Sequence, residues 1–423
     1  MTSNVQDAVA VMKQFRPDMA FFRDSYRQIH RMPELSGQEA DTALLVSAFL
    51  ESLGGFTVHT GIGGHGIAAV LSNGDGPCLL LRADMDALAI LEQTGLPYAS
   101  QRTMMDQDAA KPVMHACGHD THVACLMATT QLLYDSRAHW RGTLICLFQP
   151  AEETLSGAKA MIEDGLFEKV PKPDLVLAQH VDNLRTGAIT SRGGPLLMAC
   201  ESLGVRIFGA GGHGGLPHQC VDPVTIGCSI VTKLQTIVSR EVEPGKLGIL
   251  TCGSIHAGDT AGTIPDHLDL KVSIRAEDDA THRKMHASVK RIIEAECRAG
   301  GATRTPQYNT IMSGSATVND EDSFQRLRSS FVSYFGSDYS DMDTAAATED
   351  VHLLATAAGA PLVMWFFGGT DATQWDETER DGRLDELPVP HSPFFAPSIE
   401  CLDVGVNALS LAALTFFAPG LHE

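Results

Sequence analysis

Three histidines, one cysteine and one aspartate fall within eight positions in Met114-His-Ala-Cys-Gly-His-Asp-Thr-His122. Imidazole and thiolate together form a borderline-soft ligand set that suits Zn²⁺, Mn²⁺, Co²⁺ or Ni²⁺. A polar loop with Asp120 or Thr121 capping a following helix would use the same residue types, and the segment alone does not choose between the two. Glu152 and Glu153 tilt the balance. Two adjacent carboxylates at the end of an apolar strand are costly unless one neutralises a cation and the other works near neutral pH. On a surface such a pair is ordinary.

The elements that must position these groups favour the chemical reading. Cys78 to Arg82, Thr143 to Phe148 and Asp174 to Ala178 are short unbroken apolar runs, as expected of strands buried on both faces. Helical periodicity lies between them, at 122–133 and 157–164, and Asp41 to Leu53 is a helix that stops at Gly54-Gly55. Strand alternating with helix predicts an α/β fold with a mostly parallel sheet. The three strands run into Asp84 and Asp86, into Glu152 and Glu153, and into His180. Open α/β sheets place ligands at the carboxyl ends of their strands. Asp84, Asp86, Cys117, His119, Glu152, Glu153 and His180 are therefore expected to converge on a metal-dependent hydrolytic site.

The texture changes near Met198. Ser202 to Phe208 and Leu268 to Arg275 alternate like half-exposed strands, and 223–237 and 280–297 read as amphipathic helices. Buried-strand character returns at Pro361 to Phe367, followed by a helical tail over 398–414. The expected organisation is a discontinuous catalytic domain, 1–198 and 314–423, interrupted by an α+β domain at 199–313. Gly61-Ile-Gly-Gly-His-Gly66 matches a dinucleotide-binding pattern, but the strand-like Ile67 to Leu71 after it predicts a hairpin turn and no nicotinamide cofactor. Two further histidines sit in distinctive loops, His213 among glycines and His391 between prolines.

Composition excludes other classes. With 44% apolar residues in 423, the chain can build a sizeable core. Its 31 basic and 52 acidic residues give a formal charge of −21, which argues against nucleic-acid and membrane partners. Ten cysteines without a C-x-x-C pair, and an N-terminus without a basic start and apolar run, predict a cytoplasmic protein.

Together these segments resemble the aminoacylase and carboxypeptidase-G type of two-metal metallohydrolase. Within it they look like the branch of hippurate hydrolases, auxin-conjugate hydrolases and related N-acyl-amino-acid amidohydrolases. The resemblance rests on His30-Arg-Met-Pro-Glu34, Arg82-Ala-Asp-Met-Asp-Ala-Leu88, Met114 to Asp120, Phe148-Gln-Pro-Ala-Glu-Glu153, Gly211-Gly-His213, Ile264-Pro-Asp266, Thr348-Glu-Asp350 and His391-Ser-Pro393. It spans nearly the whole chain in the expected order.

The resemblance implies two divalent ions, Zn or Mn foremost and Co or Ni as alternatives, held by Cys117, His119, Glu153, His180 and His391. Cys117 would be shared between them, Asp86 would orient a ligand from behind, and Glu152 would be the general base. The 199–313 domain becomes a lid and dimerisation domain of a homodimer or higher oligomer, with His213 steadying the oxyanion in the paired subunit's site. The implied reaction is hydrolysis of a small N-acyl or aryl-acyl amino acid. A dipeptidase or carboxypeptidase of the same superfamily, or a metal-retaining binding protein without catalysis, are the alternatives. Arg275 matches a family arginine suited to a substrate carboxylate, with a structural ion pair as the competing role. Gly262 stands where relatives commonly carry a substrate-contacting Asn, and Ala210 where they often carry a basic residue.

Overall fold

The computed structural model describes residues 3–419. The chain separates into two compact units. The larger runs to Gly194 and takes in Val318–Asp343 and the chain from Asp350; the smaller is Pro195–Thr317 with Thr344–Glu349. That last segment differs from the expected division, which kept it with 314–423. Met198 N–H donates to the carbonyls of Ala345 and Ala347 at 3.2 and 3.1 Å, and Arg275 Nη1 donates to the Ala346 carbonyl at 2.6 Å. These bonds tie the segment to the smaller unit although it lies far along the chain.

The larger unit is built on a nine-stranded sheet. Its order is Thr57–Ile62, Gly66–Asn73, Trp140–Gln149, Cys78–Asp84, Leu175–Arg185, Leu362–Thr370, Ile189–Ser191 and Tyr339–Asp341, with Ala418–Pro419 pairing beside Trp140–Gln149. The four central strands, 140–149, 78–84, 175–185 and 362–370, are mutually parallel. Leu79, Leu80 and Leu81 are buried, as parallel strands covered on both faces require. Each such side chain contributes roughly 1.5–3 kcal/mol by leaving water. The glycine-rich segment after Thr57–Ile62 is the expected hairpin turn, with Ile62 paired to Gly66.

Helix His119–Asp135 lies against helices Met19–Arg31, Ala40–Leu53 and Cys401–Phe416, and its residues from His119 to Thr130 are all buried. Glu34 starts the helix Ala40–Leu53 by accepting from the amides of Asp41 and Thr42 at 3.0 and 2.8 Å. That accounts structurally for the Pro-Glu of the His30 to Glu34 motif.

The smaller unit carries a four-stranded antiparallel sheet in the order Gly248–His256, His267–Ala276, Ala199–Phe208, Gln307–Gly314. Leu268, Leu270, Val272 and Ile274 point to one face and pack with Ile226, Ile230, Leu234 and Ile237 of helix Pro223–Arg240 and Met285, Val289 and Ile293 of helix Asp279–Ala299. Among the described residues no helix is long and apolar enough to cross a membrane.

Candidate metal centre

Cys117 and His119 flank Gly118, which stands at φ +77° ahead of helix His119–Asp135. A Cβ on Gly118 would come within 2.4 Å of Val181 Cγ1, so both the backbone turn and the close approach require glycine. The turn sends the two side chains into one cluster. Cys117 Sγ lies 3.5 Å from His180 Nε2, and His119 Nε2 lies 3.8 Å from both Glu152 Oε2 and Glu153 Oε1. His391 closes the group, its Nε2 3.4 Å from Glu153 Oε2. Its ring is delivered by a backbone at φ +70°, held where the His391 amide donates to the Ala116 carbonyl at 2.7 Å.

Hydrogen bonds decide which imidazole nitrogens are free. His119 Nδ1 sits 3.2 Å from Asp86 Oδ1, and His180 Nδ1 sits 2.6 Å from the Val181 carbonyl. A proton on Nδ1 satisfies both contacts and leaves each Nε2 as a lone pair facing the cluster. His119 Nε2 and Glu153 Oε1 are buried without a hydrogen-bond partner. Such atoms are costly inside a protein and fit an ion between them.

His122 has the opposite arrangement. Its Nδ1 is bonded to Asp84 and its Nε2 accepts the Val181 amide at 2.8 Å, so neither nitrogen is available. Asp84 lies 3.8 Å from His119 Nε2 but is also paired with Arg82, so this aspartate braces the cluster from beneath.

Charge balance points to a cation as well. Burial pushes the Cys117 thiol well up, and the charges of Glu153 and Glu152 push it further. Burial also raises Glu153, with Asp86 adding to the effect, to about 7. For His119 burial acts downward, but Asp84, Asp86 and Glu153 outweigh it and carry the ring to about 10. Without metal these groups would collect protons; a divalent cation would take the protons' place.

The structure thus brings together Asp86, Cys117, His119, Glu152, Glu153, His180 and His391. The proposed oxyanion and substrate residues lie in the smaller unit. His213 is exposed and its Nδ1 accepts the Gly215 amide at 3.0 Å. Arg275 meets the Ala346 carbonyl and, at 3.4 Å, Thr348 Oγ1. A Cβ added to Gly262 would meet nothing within 4 Å. Sequence reasoning missed Ser36, whose hydroxyl donates to Asp86 Oδ2 at 2.7 Å, and Glu39, which reaches the Ala151 amide.

Residues 80–388 match the model of peptidase family M20/M25/M40. A hippurate hydrolase of Campylobacter jejuni is 35% identical over 305 residues, covering 71% of this chain and 76% of that protein. Thermostable carboxypeptidase 1 of Saccharolobus solfataricus is 32% identical over 398 residues, 92% of this chain and 94% of its own. Among solved structures, a Bacillus subtilis protein described as a dinuclear metal binding peptidase of the M20 family superposes with a TM-score of 0.74 at 25% identity, covering 95% of this chain and 98% of that one. With its ligand cluster gathered at the ends of the parallel strands, the chain belongs to peptidase family M20/M25/M40.

Proposed function

We propose that this protein is a metal-dependent amidohydrolase that cleaves a small N-acyl or aryl-acyl amino acid. The observation that carries the reading is the convergence of Cys117, His119, Glu153, His180 and His391, with Glu152 Oε2 3.8 Å from His119 Nε2. In this reading those five residues would hold two divalent ions, Zn or Mn before Co or Ni. The ions would supply a water of lowered pKa and a Lewis acid for the amide carbonyl. Glu152, only 6% exposed, takes the proton of the attacking water and returns it to the departing amine nitrogen. Asp86 fixes the tautomer of His119.

The relatives named hippurate hydrolase, N-acyl-L-amino acid amidohydrolase and IAA-amino acid hydrolase support the substrate class. Arg275 is the proposed carboxylate contact and Gly262 a proposed substrate-facing position. His213 is the proposed oxyanion donor, serving the paired subunit of a homodimer or higher oligomer through the smaller unit. All ten cysteines are free, which suits a reducing compartment, the cytoplasm in this proposal. A carboxypeptidase activity is the second reading, favoured by the solfataricus relative matched over 92% of this chain.

Glu152→Gln tests the assignment. Turnover of hippurate, N-acetyl or indole-acyl amino acids should fall on the order of 10²- to 10⁴-fold while both metals are retained. Near-normal turnover by a metal-loaded variant would sink it. Stoichiometric metal without hydrolysis of any amide or peptide in the panel would instead identify a binding protein.

A further inference from the structure

Glu39 precedes helix Ala40–Leu53, yet its side chain makes no cap bond to that helix; Glu34 already receives the helix's free amides. Glu39 is fully buried all the same. Its Oε1 accepts from the Gly37 amide at 2.7 Å and from the Ala151 amide at 2.8 Å, and its Oε2 has no hydrogen-bond partner. A buried carboxylate that reaches 112 positions along the chain to one amide calls for an explanation at that amide.

Ala151 is the residue before Glu152, and it stands at φ +49°, a left-handed conformation that alanine disfavours. Leu155, at φ +50°, ends the same turn, which closes through Leu155 N–H to the Glu152 carbonyl at 2.6 Å and Gly157 N–H to the Ala151 carbonyl at 3.0 Å. On the far side of Glu152, the Glu153 amide donates to Asp86 Oδ2 at 3.0 Å. Two carboxylates therefore grip the amides on either side of Glu152. Left-handed backbone at a non-glycine residue persists where surrounding contacts over-determine it, and the grip from Glu39 is such a contact.

We propose that Glu39 is a positioning residue for the reaction: by holding the Ala151 amide it fixes the strained turn that aims the Glu152 carboxylate into the ligand cluster. The proposal rests on the reading of Glu152 as general base.

The test compares wild type, Glu39→Ala, Glu39→Gln and Glu152→Gln, each loaded with metal and assayed on one N-acyl amino acid, with metal content and melting temperature measured alongside. Glu39→Ala is expected to keep both metals and KM while kcat falls about 10- to 100-fold. Glu39→Gln keeps an acceptor oxygen for the Ala151 amide and should recover most of kcat. If Glu39→Ala does not fold, Glu39→Asp, a carboxylate one methylene too short for Ala151, gives the same expectation. A melting temperature that drops while kcat per metal-loaded site stays normal overturns the proposal, as does Glu39→Gln being as slow as Glu39→Ala. Slow Glu152→Gln with normal Glu39→Ala overturns this inference alone. Near-normal Glu152→Gln overturns the base assignment and this inference with it.

Discussion

In the larger unit the four central strands run parallel and are largely buried, while the four strands of the smaller unit are antiparallel, and its central strand His267–Ala276 alternates between buried and more open residues. The first arrangement leaves little room for polar side chains along the strands, so Asp84, Asp86 and Glu152 stand at or just beyond carboxyl ends, and His180 joins Asp84 from within Leu175–Arg185. The second lets charge leave through the open face, as Arg206 and Asp269 do in an exposed pair. Buried ionisable groups are consequently dense in one unit and sparse in the other. A titratable group in the first has its state set by neighbours, and one on the second's open face has it set by water.

Substitutions at the proposed ligands should show the contrast most strongly. His119→Ala is expected to lose metal and reduce turnover to the level of the chelated protein, read by mass spectrometry and assay together. His213→Ala, in the smaller unit, should keep its metals and lose on the order of 10²- to 10³-fold in kcat if it supplies the oxyanion contact. Equal metal loss in both variants would erase the distinction between the units. For stability, Arg82 is the sharper probe, since its guanidinium is buried against Asp84, Asp350 and Gln149. Arg82→Met should cost about 3–5 kcal/mol in denaturant unfolding by removing the buried cation between Asp84 and Asp350. Arg206→Met should leave the unfolding midpoint where it was.

A pH effect comes next in size. Burial acts to lower the His30 pKa, but Asp120 and Glu92, at 2.6 and 3.1 Å, outweigh it and raise it to about 9. The folded protein then holds this proton more tightly than the unfolded chain. The stabilisation is complete below pH about 6.5 and is lost as pH rises through about 9, amounting to at most about 3 kcal/mol. His30→Gln should remove that part of the slope in unfolding measured from pH 6 to 9.5. His115, buried without carboxylate bonds, is carried the other way, to about 4, so it contributes no such slope. A smaller loss of stability is expected in the smaller unit. Asp278 caps helix Asp279–Ala299 by accepting the Thr281 amide at 2.7 Å, and Asp278→Ala should cost about 1 kcal/mol in the same assay.

The sequence alone sufficed for the buried strands, the hairpin at Gly61 to Gly66 and the cluster of ligand types around Met114 to His122, because apolar runs, glycines and donor atoms are local properties. It also pointed to Glu152 and Glu153, since a strand's end is visible in its own residues. The resemblance named His119 and His180 and left His122 aside; tertiary structure supplied the reason, an Nε2 turned to the cluster in the first two and both nitrogens engaged in the third. Their hydrogen-bond partners are Asp86, the Val181 carbonyl, Asp84 and the Val181 amide, and only folding shows which nitrogen meets which. The same holds for Glu39 at the Ala151 amide and for Thr344–Glu349 in the smaller unit. Residue type fixes which atoms can bind or donate; which of them remain free depends on contacts between segments distant in the chain, and no local pattern encodes those.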